Sequence, residues 1–161
     1  MFAIACFRGT KAQADTIKAL LIKGADVDDY SEHYTGLTPL MMACHLKSDE
    51  DSLTVAKMLI DQYPDLDLFA EDIAQNTVLH HAAMENKLEV CKYLLEEKKV
   101  MLHFMADRHN QDGLTAIDLS SKKEVFEYLS QYSCKLDKKP KKFKRDKRGF
   151  TFKTKYGAAL K

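Results

Sequence analysis

The sequence has no tryptophan, and aromatic residues make up only 9% of its 161 residues. This scarcity disfavours a β-sandwich, whose strands are enriched in aromatic side chains, and favours helices packed on aliphatic ones. The longest uncharged apolar run, MFAIACF at residues 1–7, is far shorter than the ~20 apolar residues that cross a bilayer. It also lacks the basic leader and cleavage site of a signal peptide. We therefore expect a helical protein with no membrane segment.

Cysteine is sparse as well. Cys6, Cys44, Cys91 and Cys134 are widely spaced and form no C-x-x-C pair. Without a secretory signal, disulfides are the weaker interpretation, and free thiols in a reducing compartment are the stronger one. We expect an intracellular protein, cytoplasmic or cytoskeletal, with the nucleus as the alternative.

The net charge of +1 conceals a sharp asymmetry between two parts of the chain. Residues 1–134 contain 13 Lys and Arg against 22 Asp and Glu, a net of −9. Residues 135–161 contain 12 Lys and Arg against 2 Asp, a net of +10. An acidic body with a basic tail indicates that the tail has an acidic partner.

Three stretches of the chain repeat one pattern that begins at a threonine. Thr38 opens TPLMMAC, Thr77 opens TVLHHAA and Thr115 opens TAIDLSS. A turn-like stretch precedes each, and a second apolar stretch follows: LTVAKMLI, LEVCKYLL and KEVFEYLS. The opening of the chain fits the same register, because FAIAC matches PLMMAC from its leucine onward. Internal repeats of this kind are typical of solenoid proteins.

The pattern resembles the ankyrin repeat, in which Thr-Pro-Leu-His-x-Ala-Ala is followed by a helix with paired leucines and then Gly-Ala-Asp. The matching segments are Thr38-Pro39-Leu40, Leu79-His80-x-Ala82-Ala83, Leu20-Leu21, Leu94-Leu95 and Gly24-Ala25-Asp26. The resemblance implies an all-α solenoid of stacked helix pairs over residues 1–133, with a basic irregular extension at 134–161. It places about four repeats at 1–30, 31–70, 71–108 and 109–133.

Physical chemistry supports the same organisation. Thr38 before Pro39 suits a helix N-cap followed by the first helical position, where proline loses no hydrogen bond. Gly24 suits a left-handed stop after a helix. One helix pair cannot bury its apolar face alone, so about three or more pairs must stack. The threonine spacings of 39 and 38 residues exceed the usual ~33, and we assign the extra residues to the turns and connections.

His80 and His81 raise the question of a metal or catalytic site, since Glu85 follows His81 by four residues. A metal site needs a third and usually a fourth ligand, and this spacing alone is a weak signal. His80 occupies the motif histidine of the repeat, and the resemblance implies that it binds backbone and braces neighbouring repeats. Buried cysteines are expected to pack as small apolar residues. We therefore predict no cofactor, no metal and no catalysis; a metal-dependent enzyme at the two histidines is the least favoured alternative.

Outward positions on the inner helices and the turn tips remain as candidate contacts with a partner. Tyr, Phe, Met and Leu at such positions favour contact over solvent. By register, the predicted partner-binding residues of this concave face are Phe7, Arg8, Tyr34, Leu37, His45, Leu46, Glu71, Ile73, Asn76, Met84, Glu85, His109, Gln111, Lys122 and Lys123.

The tail divides into a basic run over 135–148 and an alternating segment after Gly149. The run is predicted to be unfolded alone and also resembles a nuclear localisation signal. The alternating segment indicates one short strand that orders on a partner. The predicted anchor residues are Lys138, Lys139, Lys141, Lys142, Lys144, Arg145, Lys147, Arg148, Phe150, Phe152 and Tyr156.

The sequence thus predicts a non-catalytic interaction module, either an adaptor or a structural subunit of a larger intracellular assembly. Its partners are expected to be proteins, with no membrane and no small-molecule substrate. The tail is expected to bind an acidic surface of the microtubule or ribonucleoprotein type. The alternative is a nuclear or nucleic-acid-associated regulator whose tail binds phosphates or acts as an import signal.

Overall fold

The structure is a computed structural model that describes residues 2–5, 8–25, 36–97 and 105–133. Over these ranges the chain forms helices and turns, with no strand. None of the helices in the described ranges is long and apolar enough to cross a membrane. The expected strand in the tail lies outside the described residues, as do Phe7, Tyr34 and all the predicted tail anchors.

In the described ranges, eight helices with defined bounds follow one another in four pairs. They are α1 (Phe2–Ala5) with α2 (Lys11–Ile22), α3 (Pro39–Cys44) with α4 (Asp49–Gln62), α5 (Val78–Met84) with α6 (Leu88–Glu97), and α7 (Ala116–Leu119) with α8 (Lys123–Ser130). Within each pair the first helix packs on the second. The first helices also form a row from α1 through α3 and α5 to α7, and the second helices form a parallel row from α2 to α8. This two-layered stack is the all-α solenoid that the repeats predict.

We call the first helix of each pair the inner helix and the second the outer helix. From α3 onward, one of the three aligned threonines is the N-cap of each inner helix. The Thr38 hydroxyl oxygen accepts a hydrogen bond from the Met41 N–H at 3.3 Å, and Pro39 occupies the first helical position. At the last pair, the Asp118 carboxylate accepts the Thr115 N–H at 3.2 Å. Each cap satisfies backbone donors that a helix leaves unpaired at its start. The expected N-cap role of Thr38 is confirmed.

The core runs between the two rows of helices. The Val-x-x-x-Leu positions of the outer helices are at most 1% exposed in α4, α6 and α8: Val55, Leu59, Val90, Leu94, Val125 and Leu129. Small residues of the inner helices, such as Ala43, Ala82 and Ala83, are fully buried and let the helices approach closely. Gly24 has φ +82°, which confirms the expected left-handed stop after α2.

Two of the four cysteines lie in the described residues, and both are buried free thiols. Burial raises the pKa of the Cys44 thiol to about 12. Burial also raises the pKa of Cys91 well above its ordinary range. The expected packing role is confirmed for these two, whereas Cys6 and Cys134 lie outside the described residues.

Candidate functional site

A tight turn precedes α5 and is organised by one carboxylate. Asp72 Oδ1 accepts the N–H groups of Ala74 at 2.9 Å and Asn76 at 2.7 Å, and its Oδ2 accepts the Asn76 side-chain amide at 3.1 Å. The Asp72 N–H in turn donates to the Asn76 carbonyl at 3.0 Å. This set of bonds fixes the 72–76 turn, so the side chain of Ile73 projects from a defined backbone.

The 110–114 turn lies beside the 72–76 turn and repeats its construction. Asn110 Oδ1 accepts the N–H groups of Asp112 at 3.0 Å and Leu114 at 2.9 Å. The Asn110 amide donates to Asn76 Oδ1 at 2.8 Å, and the Gln111 N–H donates to the Ala74 carbonyl at 2.9 Å. The two turns are therefore joined side by side, and Asn76 is fully buried between them.

His80 links these turns to the inner helices. Its Nδ1 accepts the Thr77 N–H at 3.2 Å and lies 2.9 Å from the Thr77 hydroxyl, while Nε2 lies 3.3 Å from the Leu114 carbonyl. Burial lowers the pKa of His80 to about 4, so the imidazole is neutral at pH 7. Because Nδ1 accepts the Thr77 N–H, the ring hydrogen is on Nε2 and faces the Leu114 carbonyl. The structure confirms the predicted brace: His80 binds backbone of its own repeat and of the next.

Four side chains form a line, which we call the histidine cluster: Asp72, His81, His45 and Glu85. His81 Nε2 lies 3.0 Å from Asp72 Oδ2, and His81 Nδ1 lies 3.0 Å from His45 Nε2. His45 Nδ1 lies 3.7 Å from Glu85 Oε1. Asp72 and His81 are nearly buried, whereas the side chains of His45 and Glu85 are each 22% exposed.

The described ranges contain no group of three or more His, Cys, Asp or Glu residues placed to hold a metal ion. The ring nitrogens of His81 point at Asp72 and His45, and those of His80 point at Thr77 and Leu114. The two adjacent histidines therefore connect their helix to neighbouring turns and to His45 of the preceding helix pair.

The turn between α5 and α6 contains a buried lysine that the sequence analysis missed. Lys87 Nζ donates to the Leu46 carbonyl at 2.6 Å and binds Asp49 Oδ1 at 3.0 Å, so it joins the third helix pair to the second. The preceding Asn86 has φ +56°, and its side-chain oxygen accepts the Lys122 N–H at 2.8 Å. In the sequence, the polar pair Asn86-Lys87 between two apolar stretches was the signal that could have indicated this buried lysine.

The structure separates the predicted partner-binding residues by exposure. The exposed ones are Arg8, Ile73, His109, Gln111, Lys122 and Lys123, and the half-buried ones are Leu37, His45, Glu71 and Glu85. The expected exposure is wrong for Leu46, Asn76 and Met84, which are 5%, 0% and 6% exposed.

Neighbouring repeats contact two of these residues, Leu46 and Asn76. Leu46 packs in the core, and its carbonyl holds Lys87. Asn76 lies between two turns. The Asn86 side-chain amide donates to the Met84 carbonyl at 3.3 Å. Contact of the exposed and half-buried residues with a partner stays a prediction.

Stacked helix pairs and turns that are joined side by side define a repeat protein. A family model described as ankyrin repeats (3 copies) matches residues 1–103 and, in a second match, 54–142. The chain belongs to the ankyrin repeat family, as the sequence motifs predict. No curated protein matches the chain. Ankyrin repeats indicate a protein–protein interaction module, and domains of this family are generally non-catalytic.

Proposed function

We propose that the protein is a scaffold or structural subunit of a larger intracellular assembly and that it binds a protein partner with the concave face. The basic tail, residues 135–161, anchors the complex to an acidic surface of the microtubule or ribonucleoprotein type. The second candidate is a nuclear or nucleic-acid-associated regulator, which the tail's net charge of +10 also favours because phosphates are acidic.

Ile73 carries the proposal for the concave face. Its side chain is 71% exposed, and it is one of three exposed large hydrophobic residues in the described ranges. The other two, Leu20 and Ile22, lie on the outer helix α2. A single exposed isoleucine has little meaning alone.

The backbone around Ile73 gives its exposure significance. Asp72 fixes the turn from within, and the 110–114 turn flanks it on one side. Gly36 also lies close to this turn, where an added Cβ would be 3.1 Å from the Ile73 nitrogen. An apolar side chain on a backbone fixed by such hydrogen bonds loses little conformational entropy on binding. Such anchors tend to dominate the energetics of protein interfaces.

The experiment compares two matched substitutions in the full chain. Ile73→Glu places a charge at the turn tip, and Ile22→Glu places the same charge on α2 at a position that is 73% exposed. Both variants should keep the wild-type melting temperature, because both side chains project into solvent. Pull-downs quantified by mass spectrometry should show partners that wild type and Ile22→Glu retain and Ile73→Glu loses. If Ile73→Glu retains the same partners at wild-type levels, the concave-face proposal is wrong.

A further inference from the structure

We propose that the two ends of the row of outer helices bind each other, so that copies of this chain stack head to tail. The face of α2 with Thr16 and Leu20 in one copy binds the face of α8 with Phe126 and Ser130 in another. This interface involves neither Ile73 nor the tail, so it goes beyond the function proposed above and does not depend on it.

Each outer helix carries two adjacent sets of positions that recur in register with the repeat. The first set is the Val-x-x-x-Leu pair, and the second set is the residue that follows each member of that pair. In α4 and α6, which have an outer helix on both sides, all members of both sets are at most 6% exposed. The first set there is Val55, Leu59, Val90 and Leu94, and the second set is Ala56, Ile60, Cys91 and Leu95.

The helix α8 shows which set faces the next outer helix. Among the described residues, no outer helix follows α8. Its first set, Val125 and Leu129, is nevertheless at most 1% exposed. Its second set, Phe126 and Ser130, is only partly buried. The second set is therefore the one that a following outer helix covers.

The helix α2 shows the opposite pattern at the other end of the row. No outer helix precedes it in the described ranges. Its second set, Ile17 and Leu21, is 3% and 7% exposed, whereas Thr16 is exposed and Leu20 is 46% exposed. Leucines at the register of Leu20 in the other three outer helices are at most 1% exposed. Leu20 thus occupies an interface position whose neighbouring helix is missing.

The two end faces are complementary in register. A second copy that places its α8 before α2 brings Phe126 and Ser130 opposite Thr16 and Leu20. This is the pairing of second set with first set that joins α4 to α6 and α6 to α8 within the chain. Pairing α2 with another α2 would instead oppose two first sets, which occurs nowhere in the described stack.

Net charge favours the same arrangement. The helix α2 has two lysines and one aspartate, a net of +1, and α8 has one lysine and two glutamates, a net of −1. Opposite charges favour the encounter of α2 with α8, whereas two copies of α2 would repel. A contact between two different faces of the same chain does not close on itself, so each added copy presents the same end for the next. The predicted product is an open row of copies.

Sedimentation velocity on the full chain over a concentration series tests the proposal. A reducing agent prevents disulfide cross-links, and high salt screens contacts between the basic tail and the acidic body. The average mass of wild type should rise with concentration past that of a dimer. If wild type stays monomeric up to about 1 mM, the proposal is wrong.

Two matched substitutions on α2 locate the interface. Leu20→Glu should weaken self-association by about tenfold or more, because a charge would enter an apolar contact. Ile22→Glu should assemble like wild type, because Ile22 lies at the register of the exposed Glu96. Both variants should keep the helical circular dichroism of wild type. Equal self-association of Leu20→Glu and wild type would overturn the proposal.

A mixing experiment separates head-to-tail stacking from two-fold pairing. Ser130→Arg blocks the α8 face without removing an apolar side chain, and Gln131→Arg, at the register of Ile22, is its control. Leu20→Glu and Ser130→Arg should each stay monomeric where wild type and Gln131→Arg assemble. Their equimolar mixture should form a dimer and nothing larger, because each variant supplies the end that the other has lost. A mixture that stays monomeric, or a Ser130→Arg variant that dimerises alone, contradicts head-to-tail stacking.

Discussion

His80 Nε2 lies 3.3 Å from the carbonyl oxygen of Leu114, and this contact joins the third helix pair to the turn before the fourth. Thr77 holds the other ring nitrogen, so the imidazole is fixed at both ends. In a stacked repeat protein, stability depends on interfaces between neighbouring units as much as on the units themselves. His80 is thus an interface residue although it lies inside its own helix.

The buried imidazole predicts a specific loss of stability in acid. The pKa of His80 falls from 6.5 in the unfolded chain to about 4 in the fold because burial disfavours the charged ring. Between these values the unfolded chain binds more protons, so stability is complete above pH 6.5 and decreases toward pH 4. The loss should be about 3 kcal/mol in the free energy of unfolding. Urea unfolding at several pH values measures it.

The control for this prediction is a pair of histidine substitutions. His80→Gln should be less stable than wild type at pH 7.5 by about 1–3 kcal/mol, since it loses buried hydrogen bonds. Its stability should nevertheless fall less steeply between pH 6.5 and pH 4. His109→Gln, at an exposed position, should follow the wild-type curve. Parallel curves for wild type and His80→Gln would show that His80 does not control the acid response.

Lys87→Met should destabilise the junction of the second and third helix pairs. The substitution keeps the long apolar stem but removes the ammonium that binds the Leu46 carbonyl and Asp49. A buried carbonyl without its donor costs about 1–3 kcal/mol. Lys92→Met is the matched control, because Lys92 forms an exposed pair with Glu89 and should change stability by less than about 0.5 kcal/mol. Equal melting temperatures for the two variants would contradict the role assigned to Lys87.

Leu94→Ala tests whether the stripe of the outer helices carries the stability of the solenoid. Leu94 is 1% exposed in α6, between the second and fourth outer helices. Its truncation should lower the free energy of unfolding by about 2–5 kcal/mol through lost burial and a residual cavity. Circular dichroism should show a helical spectrum and a lower melting midpoint. An unmoved midpoint would argue against the stacked core.

The helices and their caps were predictable because their signals are local. Thr38 and Pro39 start a helix by their own chemistry, and Gly24 ends one by adopting a positive φ. The apolar stripe around Leu94 has helical periodicity in the sequence itself. The motif histidine was predictable for a related reason, since His80 stands three residues after Thr77, at the position that Met41 holds after Thr38 and Asp118 holds after Thr115.

The contacts between repeats were not predictable in the same way. Asp72 and His81 are nine residues apart, and His45 lies a further 36 residues from His81. Their meeting depends on how far each turn folds over the inner helices, which register alone does not specify. The same reason explains the misplaced surface residues: Asn76 has the polarity of a turn tip, yet a neighbouring turn covers it.

The basic tail provides the last prediction, which concerns residues outside the described ranges. A net charge of +10 over residues 135–161 follows a body of net −9. Charge can supply attraction and fast encounter with an acidic surface, but it does not fix a register. Phe150, Phe152 and Tyr156 are expected to supply that register by filling pockets along one side of a short strand. Substitutions in the two halves of the tail should therefore have different effects on the strength of binding and on its salt dependence.

Binding to tubulin polymer and to single-stranded RNA, measured over a range of salt concentrations, separates these contributions and the two candidate functions. Neutralising four lysines within residues 138–144 should weaken binding to the true target and flatten its salt dependence. Fewer charged contacts are then screened by salt, and fewer counterions are released on binding. Replacing Phe150 and Phe152 by Ala should weaken the same binding while leaving the salt slope nearly unchanged. Preference for the polymer supports the scaffold, and preference for RNA supports the nucleic-acid-associated regulator. If the double phenylalanine variant binds like wild type, the two phenylalanines do not anchor the tail, and its charge alone accounts for binding.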